Sequence, residues 1–250
     1  MNNKAIIGRE IFLPNIIFGF DENWELQNWY DTCTKEATYG LSSGNKWGLG
    51  NIPPDVPKII AKAKSTEDAL NKAKIILVEF LKTSEASHQI QETSERAQKR
   101  WNKIASEYFL RLSKMLDVPI KDFEKKYYAF FTFSRRCPFS KGKFMFNQFN
   151  DFSNNAAHEI MHIEFLKKYE QYCLKGGLSE LQVSHLKEIL TALLNEDMGD
   201  LLYHPDYGYE KHRKIRPRIL ELYREHKKSD KSFTIFLDKT IDIVKNLRFE

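Results

Sequence analysis

His158-Glu159-Ile160-Met161-His162 sets two imidazoles one helical turn apart beside a carboxylate. Residues four apart share a helix face, so both rings can reach one cation while the glutamate stands next to a water bound there. Asn154 or Ser153 can cap such a helix, and Gly176-Gly177 stops it after about Leu174. His158, His162, Phe165, Tyr169 and Tyr172 fall on one stripe of it.

A second helix follows. Ser179 with Gln182 three residues on has the form of a capping box, and the pattern runs to about Tyr203, where Pro205 ends it. Within it lies Asn195-Glu196-Asp197-Met198-Gly199-Asp200, and Leu186, Ile189, Leu193, Glu196 and Asp200 recur at steps of three and four. If the two helices form an antiparallel hairpin, His158 and Glu196 each sit about 27 Å from the turn and come out level. Buried acids and imidazoles are costly unless paired or bound to metal, so these facing polar groups ask for a shared cation. Zinc suits two imidazoles and a carboxylate.

Together the two motifs resemble the gluzincin metallopeptidases, the thermolysin-like group. The resemblance covers Tyr127 to Tyr209 and implies a zincin-like core with an active-site helix pair. It makes His158, His162 and Glu196 the ligands of one zinc ion and Glu159 the general base. Asp200 becomes the acceptor for the far nitrogen of a ligand imidazole. The fourth zinc position stays open for water and a peptide or protein substrate. The family also uses a Tyr or His to stabilise the oxyanion, and Tyr203, His204, Tyr207, Tyr209 and His212 are the candidates. An extended substrate would pair with a strand beside the active-site helix, either Tyr127 to Phe133 or Lys143 to Phe149.

Other readings fit less of the chain. Phe165 and Lys168 stand where a metzincin needs Gly and His. Asp200 to Tyr203 has the Asp-x-x-Tyr form from which an aspzincin takes its third ligand, without the flanking glycines and threonine. Glu85-x-x-His88 and Glu159-x-x-His162 match the paired motifs of a di-iron bundle, but Thr83 to Glu95 is almost wholly polar and offers no buried face.

The remainder sets the frame. At 250 residues, 42% hydrophobic and 29% charged, the chain can bury a large core. The expected fold is α+β, mostly helical, with a small aromatic-rich sheet. Its expected divisions are an aromatic segment with a loop over 1–57, helices over 58–126, the catalytic core over 127–210 and basic helices over 211–250. Ile6 to Phe20 reads as strand or packed arm, and Gly40 to Pro57 as a loop that could be connector, lid or autoinhibitory segment. Helices are expected over Asp68 to Leu81, Ser84 to Met115, Pro217 to Glu225 and Phe233 to Leu247. Met1 to Glu10 carries no secretion signal, and no long apolar run suggests a membrane span. Three separated cysteines, Cys33, Cys137 and Cys173, offer no disulfide framework, which points to a cytoplasmic setting. Basic residues gather in Lys211 to Arg218 and Arg224 to Lys228. They read as a solvated face, with nucleic acid as the sharper alternative partner. Two rival functions remain beside hydrolysis: a non-catalytic zinc-containing binding protein, and a nucleic-acid-associated metalloprotease.

Overall fold

Burial alternates along Lys126–Phe131, with Tyr127, Ala129 and Phe131 turned into the core, as a strand covered on one face requires. The computed structural model describes residues 13–36, 47–149, 151–229 and 231–247. Its elements are strand β1 (Asn15–Gly19), helices α1 (Glu22–Thr34), α2 (Val56–Ala61), α3 (Thr66–Leu81), α4 (Ser84–Trp101) and α5 (Ala105–Leu116), strands β2 (Lys126–Phe131), β3 (Phe139–Ser140) and β4 (Lys143–Phe146), then α6 (Phe152–Lys175), α7 (Glu180–Leu190), α8 (Ala192–Asp197), α9 (Arg216–Lys227) and α10 (Phe233–Lys245). The protein is thus α+β and mostly helical. The expected arm is described only from residue 13 and the expected loop only from 47; their remaining residues lie outside the described ones.

The sheet order is β1-β2-β4-β3. β1, β2 and β4 run parallel, and β3 turns back antiparallel on β4, pairing Phe139 with Phe144. Both strands expected beside the active-site helix therefore lie inside the sheet. The edge there falls to β3, a two-residue strand in the stretch read as the connection between them.

Helices α4 and α6 cover the sheet, and Tyr108 ties α5 to α6 by donating to the carbonyl of Ala157 at 2.6 Å. Trp101, Tyr108, Phe109, Tyr127, Phe131, Phe144 and Phe146 fill the space between. One apolar cluster extends from Ile16 to Val244. The helix expected over Ser84 to Met115 is two helices, broken at residues 102–104. The helix expected from Ser179 to Tyr203 also breaks, at Thr191, and α8 ends at Asp197. The capping box of Ser179 and Gln182 forms as read. The N-cap of α6 is Asp151, not Ser153 or Asn154: its carboxylate accepts from the backbone N–H groups of both. No helix among the described residues is long and apolar enough to cross a membrane.

Candidate metal centre

Helix α6 points His158 and His162 to one side, with ring centroids 4.3 Å apart. Facing them is Glu188 of α7. Its Oε2 lies 3.1 Å from His162 Nε2 and 3.3 Å from His158 Nε2. Tetrahedral ligands about 2.0–2.1 Å from a shared cation stand about 3.3 Å from one another. His162 Nε2 and Glu188 Oε2 are buried and meet no hydrogen-bond partner, so their close approach is not itself a hydrogen bond. Converging polar atoms left without hydrogen-bond partners are what a cation relieves. Among the described residues, His158, His162 and Glu188 form the one group able to hold a metal ion.

Glu188 is presented through a single oxygen. Its Oε1 is paired with the buried ammonium of Lys187, which also lies over the ring of Phe139 in β3, 4.9 Å from the centroid. Burial disfavours the Glu188 charge, but the two imidazoles outweigh it and keep the carboxyl ionised. His162 is driven the other way: burial lowers its pKa to about 3, leaving a neutral ring with lone pairs for a cation.

Behind His158 stands Asp206, whose Oδ2 is 2.6 Å from His158 Nδ1. Burial opposes charge on this imidazole, but Asp206 and Glu188 together hold its pKa well above the ordinary range. Asp206 is itself fixed on several sides. Asn195 Oδ1 accepts from its N–H at 2.6 Å, and Asn195 Nδ2 donates to its carbonyl at 2.8 Å. Arg216 donates to its carbonyl at 2.6 Å and its Oδ1 at 2.8 Å, and reaches the carbonyl of Glu188 at 3.1 Å. Thr191, at the break between α7 and α8, lies 3.0 Å from Asp206 Oδ1.

Glu159 opens from α6 into a cleft of about 340 Å³, lined also by Trp47, Arg135, Cys137, His158, His204 and Tyr207 among others. The residue is 7% exposed, and burial raises its pKa to about 7 against the opposing pull of His158 and Lys187. A carboxyl balanced near neutrality can both take and return a proton.

Two expected site residues lie elsewhere. Glu196, on α8, accepts from Arg224 at 2.8 Å, and Asp200 pairs with Arg111 at 2.5 Å. Glu188 stands in the place assigned to Glu196, and Asp206 in the place assigned to Asp200. Of the Asn195-Glu196 pair, the asparagine is the member that serves the site. The oxyanion candidates also separate. His204, Tyr207 and Tyr209 line the cleft. Tyr203 is 73% exposed beneath Arg100, and His212 is buried with its Nε2 2.8 Å from His185 Nδ1. Glu85 and His88 are exposed on α4, where His88 faces Glu92 at 3.5 Å.

No protein-family model, curated protein or solved structure matches the chain.

Proposed function

We propose that the protein is a zinc-dependent peptide hydrolase in which His158, His162 and Glu188 hold the metal and Glu159 is the general base. The observation that carries this reading is the convergence of buried His162 and Glu188 with partly buried His158, beside a cleft into which a fourth group, Glu159, also opens. Three protein ligands suit a catalytic metal better than a structural one, which normally closes its shell with four.

Bound there, zinc supplies a water acidified toward neutrality and a positive charge for the scissile carbonyl. Glu159, whose carboxyl opens into the same cleft, would act as the general base and carry the proton to the leaving amine. Asp206 holds the His158 ring in one tautomer, with Nε2 turned to Glu188. Lys187 fixes one oxygen of Glu188 and so leaves the other for the ligand position. Tyr207, Tyr209 and His204 are the expected oxyanion candidates that line the cleft. A four-stranded sheet whose antiparallel edge strand adjoins the histidine helix supports the zincin-like reading of the core. Phe139 of β3 lies 5.6 Å from the His162 ring, which favours that edge for an extended substrate.

A role for the basic C-terminal residues in nucleic-acid binding has less support. Arg213, Arg216, Arg224 and Lys227 each engage a carboxylate of this chain.

Elemental analysis of the purified protein beside Glu159→Gln tests the reading. One zinc per chain is expected in both, with peptide turnover reduced about 10²–10⁴-fold in the variant. A folded protein that holds no metal and refuses added zinc overturns the proposal. Retained zinc with no function altered in Glu159→Gln would favour a non-catalytic zinc protein instead.

A further inference from the structure

Arg135 stands in the wall of the cleft that Glu159 enters, on the segment between β2 and β3. Its guanidinium lies over the ring of Phe149, 4.4 Å from the centroid. Its stem passes Gly48 so closely that a Cβ there would sit 2.7 Å from Arg135 Cδ. The segment carrying Gly48 is anchored in turn, since Asn51 N–H donates to the carbonyl of Phe133 at 2.8 Å. The arginine is therefore positioned by an aromatic face and a glycine backbone, and not by a counterion. Among the described residues it makes no ion pair, and its guanidinium meets no hydrogen-bond acceptor.

Two of the carboxylates on the cleft wall are already matched. Asp151 caps α6 and pairs with Arg100 at 2.6 Å, while Asp206 is held by His158 and Arg216. An exposed planar cation stacked on an aromatic ring, with no acceptor among the described residues, is suited to receive a carboxylate in a bidentate fork. The contacts with Phe149 and the Gly48 backbone narrow its conformations in advance, which lowers the entropy that the arginine loses on binding.

We propose that Arg135 is a specificity-determining residue that binds a carboxylate of the substrate chain, so that the preferred substrates are acidic at the position reaching it. The proposal rests on the hydrolase reading. Two sources offer the same chemistry, an Asp or Glu side chain and a free C-terminus, and they can be separated.

The probes are labelled peptides identical except for a central Glu or Gln, each made with a free and an amidated C-terminus. Binding is read by fluorescence anisotropy on zinc-loaded Glu159→Gln protein, with and without Arg135→Met, which keeps the apolar stem against Gly48 and Phe149. A Glu preference of about tenfold at either terminus assigns a side-chain carboxylate, and a similar preference for the free terminus assigns the C-terminal one. In both cases Arg135→Met must abolish the preference and Arg135→Lys must restore part of it. With Glu159 intact, the Arg135→Met effect on turnover of acidic peptides should fall on KM more than kcat. Equal binding of all four peptides, or a preference that survives Arg135→Met, overturns the proposal. If nothing is hydrolysed but the Arg135-dependent preference persists, the hydrolase reading falls and the carboxylate site stands.

Discussion

Asp206 Oδ2 approaches His158 Nδ1 at 2.6 Å, and the same carboxylate is gripped from behind by Arg216 at 2.8 Å. The pair fixes which imidazole nitrogen is left for Glu188 and any shared cation. Asp206→Asn should therefore leave the fold in place but weaken zinc binding by about 10–100-fold, the usual effect of removing the carboxylate behind a ligand histidine. Competition titration against a chromophoric chelator measures this. Unchanged affinity would mean that Asp206 serves only to neutralise Arg216.

Glu188 and Glu196 make opposite predictions. Glu188→Ala should abolish stoichiometric zinc. Glu196→Ala removes only a partly exposed contact with Arg224, so zinc content and melting temperature should barely change. Elemental analysis of the two variants side by side decides between them. Metal lost in Glu196→Ala and kept in Glu188→Ala would refute the site as built here.

Why the sequence pointed to Glu196 and not to Glu188, the glutamate that faces the histidines, follows from the surroundings of α7. His158, Glu159 and His162 were legible because they belong to one helix, and spacing within a helix is a local property. Periodicity places the expected third ligand on the apolar stripe of Leu186, Ile189 and Leu193, as it must if a helix has one inner face. Residues 185–194 are instead buried all round, with α6, α9 and α10 packed about them, so the helix has no solvent face to contrast with. Glu188, two residues and roughly 200° on from Leu186, lies inside as well. The break at Thr191 further invalidates a distance count that assumed one straight helix. The signal that could have served is Lys187-Glu188 within a run otherwise dominated by Leu and Ile. Asp206 was harder to find, because a loop brings it to the site and loops have no period. The sheet's aromatic strands were readable from composition, but parallel pairing and an edge made of Phe139-Ser140 depend on partners distant in sequence.

Glu25 gives a pH prediction away from the cleft. It is fully buried on α1, accepting from Trp29 Nε1 at 2.5 Å and from the Phe133 N–H at 3.0 Å. Burial outweighs those bonds and raises its pKa from 4.5 to about 7. A carboxyl whose pKa is higher folded than unfolded favours folding most when both states are protonated. Its contribution is therefore full below pH 4.5 and lost as pH rises to about 7, a change of about 3 kcal/mol for this group. Glu25→Gln keeps an oxygen for both donors and cannot ionise. Urea titrations should show that variant more stable than the parent at pH 8, with the gap closing toward pH 4.5. A gap that stays constant with pH would show that Glu25 does not titrate in this interval.

Gly208 links the backbone to the candidate metal site through Arg216. Its φ is +60°, a left-handed conformation that glycine adopts without strain, and a Cβ at this position would lie 2.2 Å from Arg216 Nη1. That guanidinium holds the Asp206 carboxylate and the Glu188 carbonyl together, so it cannot withdraw without releasing both. Gly208→Ala should therefore lower stability by about 1–3 kcal/mol through backbone strain alone. It should also weaken zinc binding, although residue 208 holds no metal. Arg216→Lys separates the two effects, since it shortens the side chain and loses the fork while leaving the turn relaxed. If Arg216→Lys binds zinc as tightly as the parent and Gly208→Ala does not, the backbone turn positions Asp206 by itself. If both lose affinity together, the arginine is the means by which the turn reaches His158.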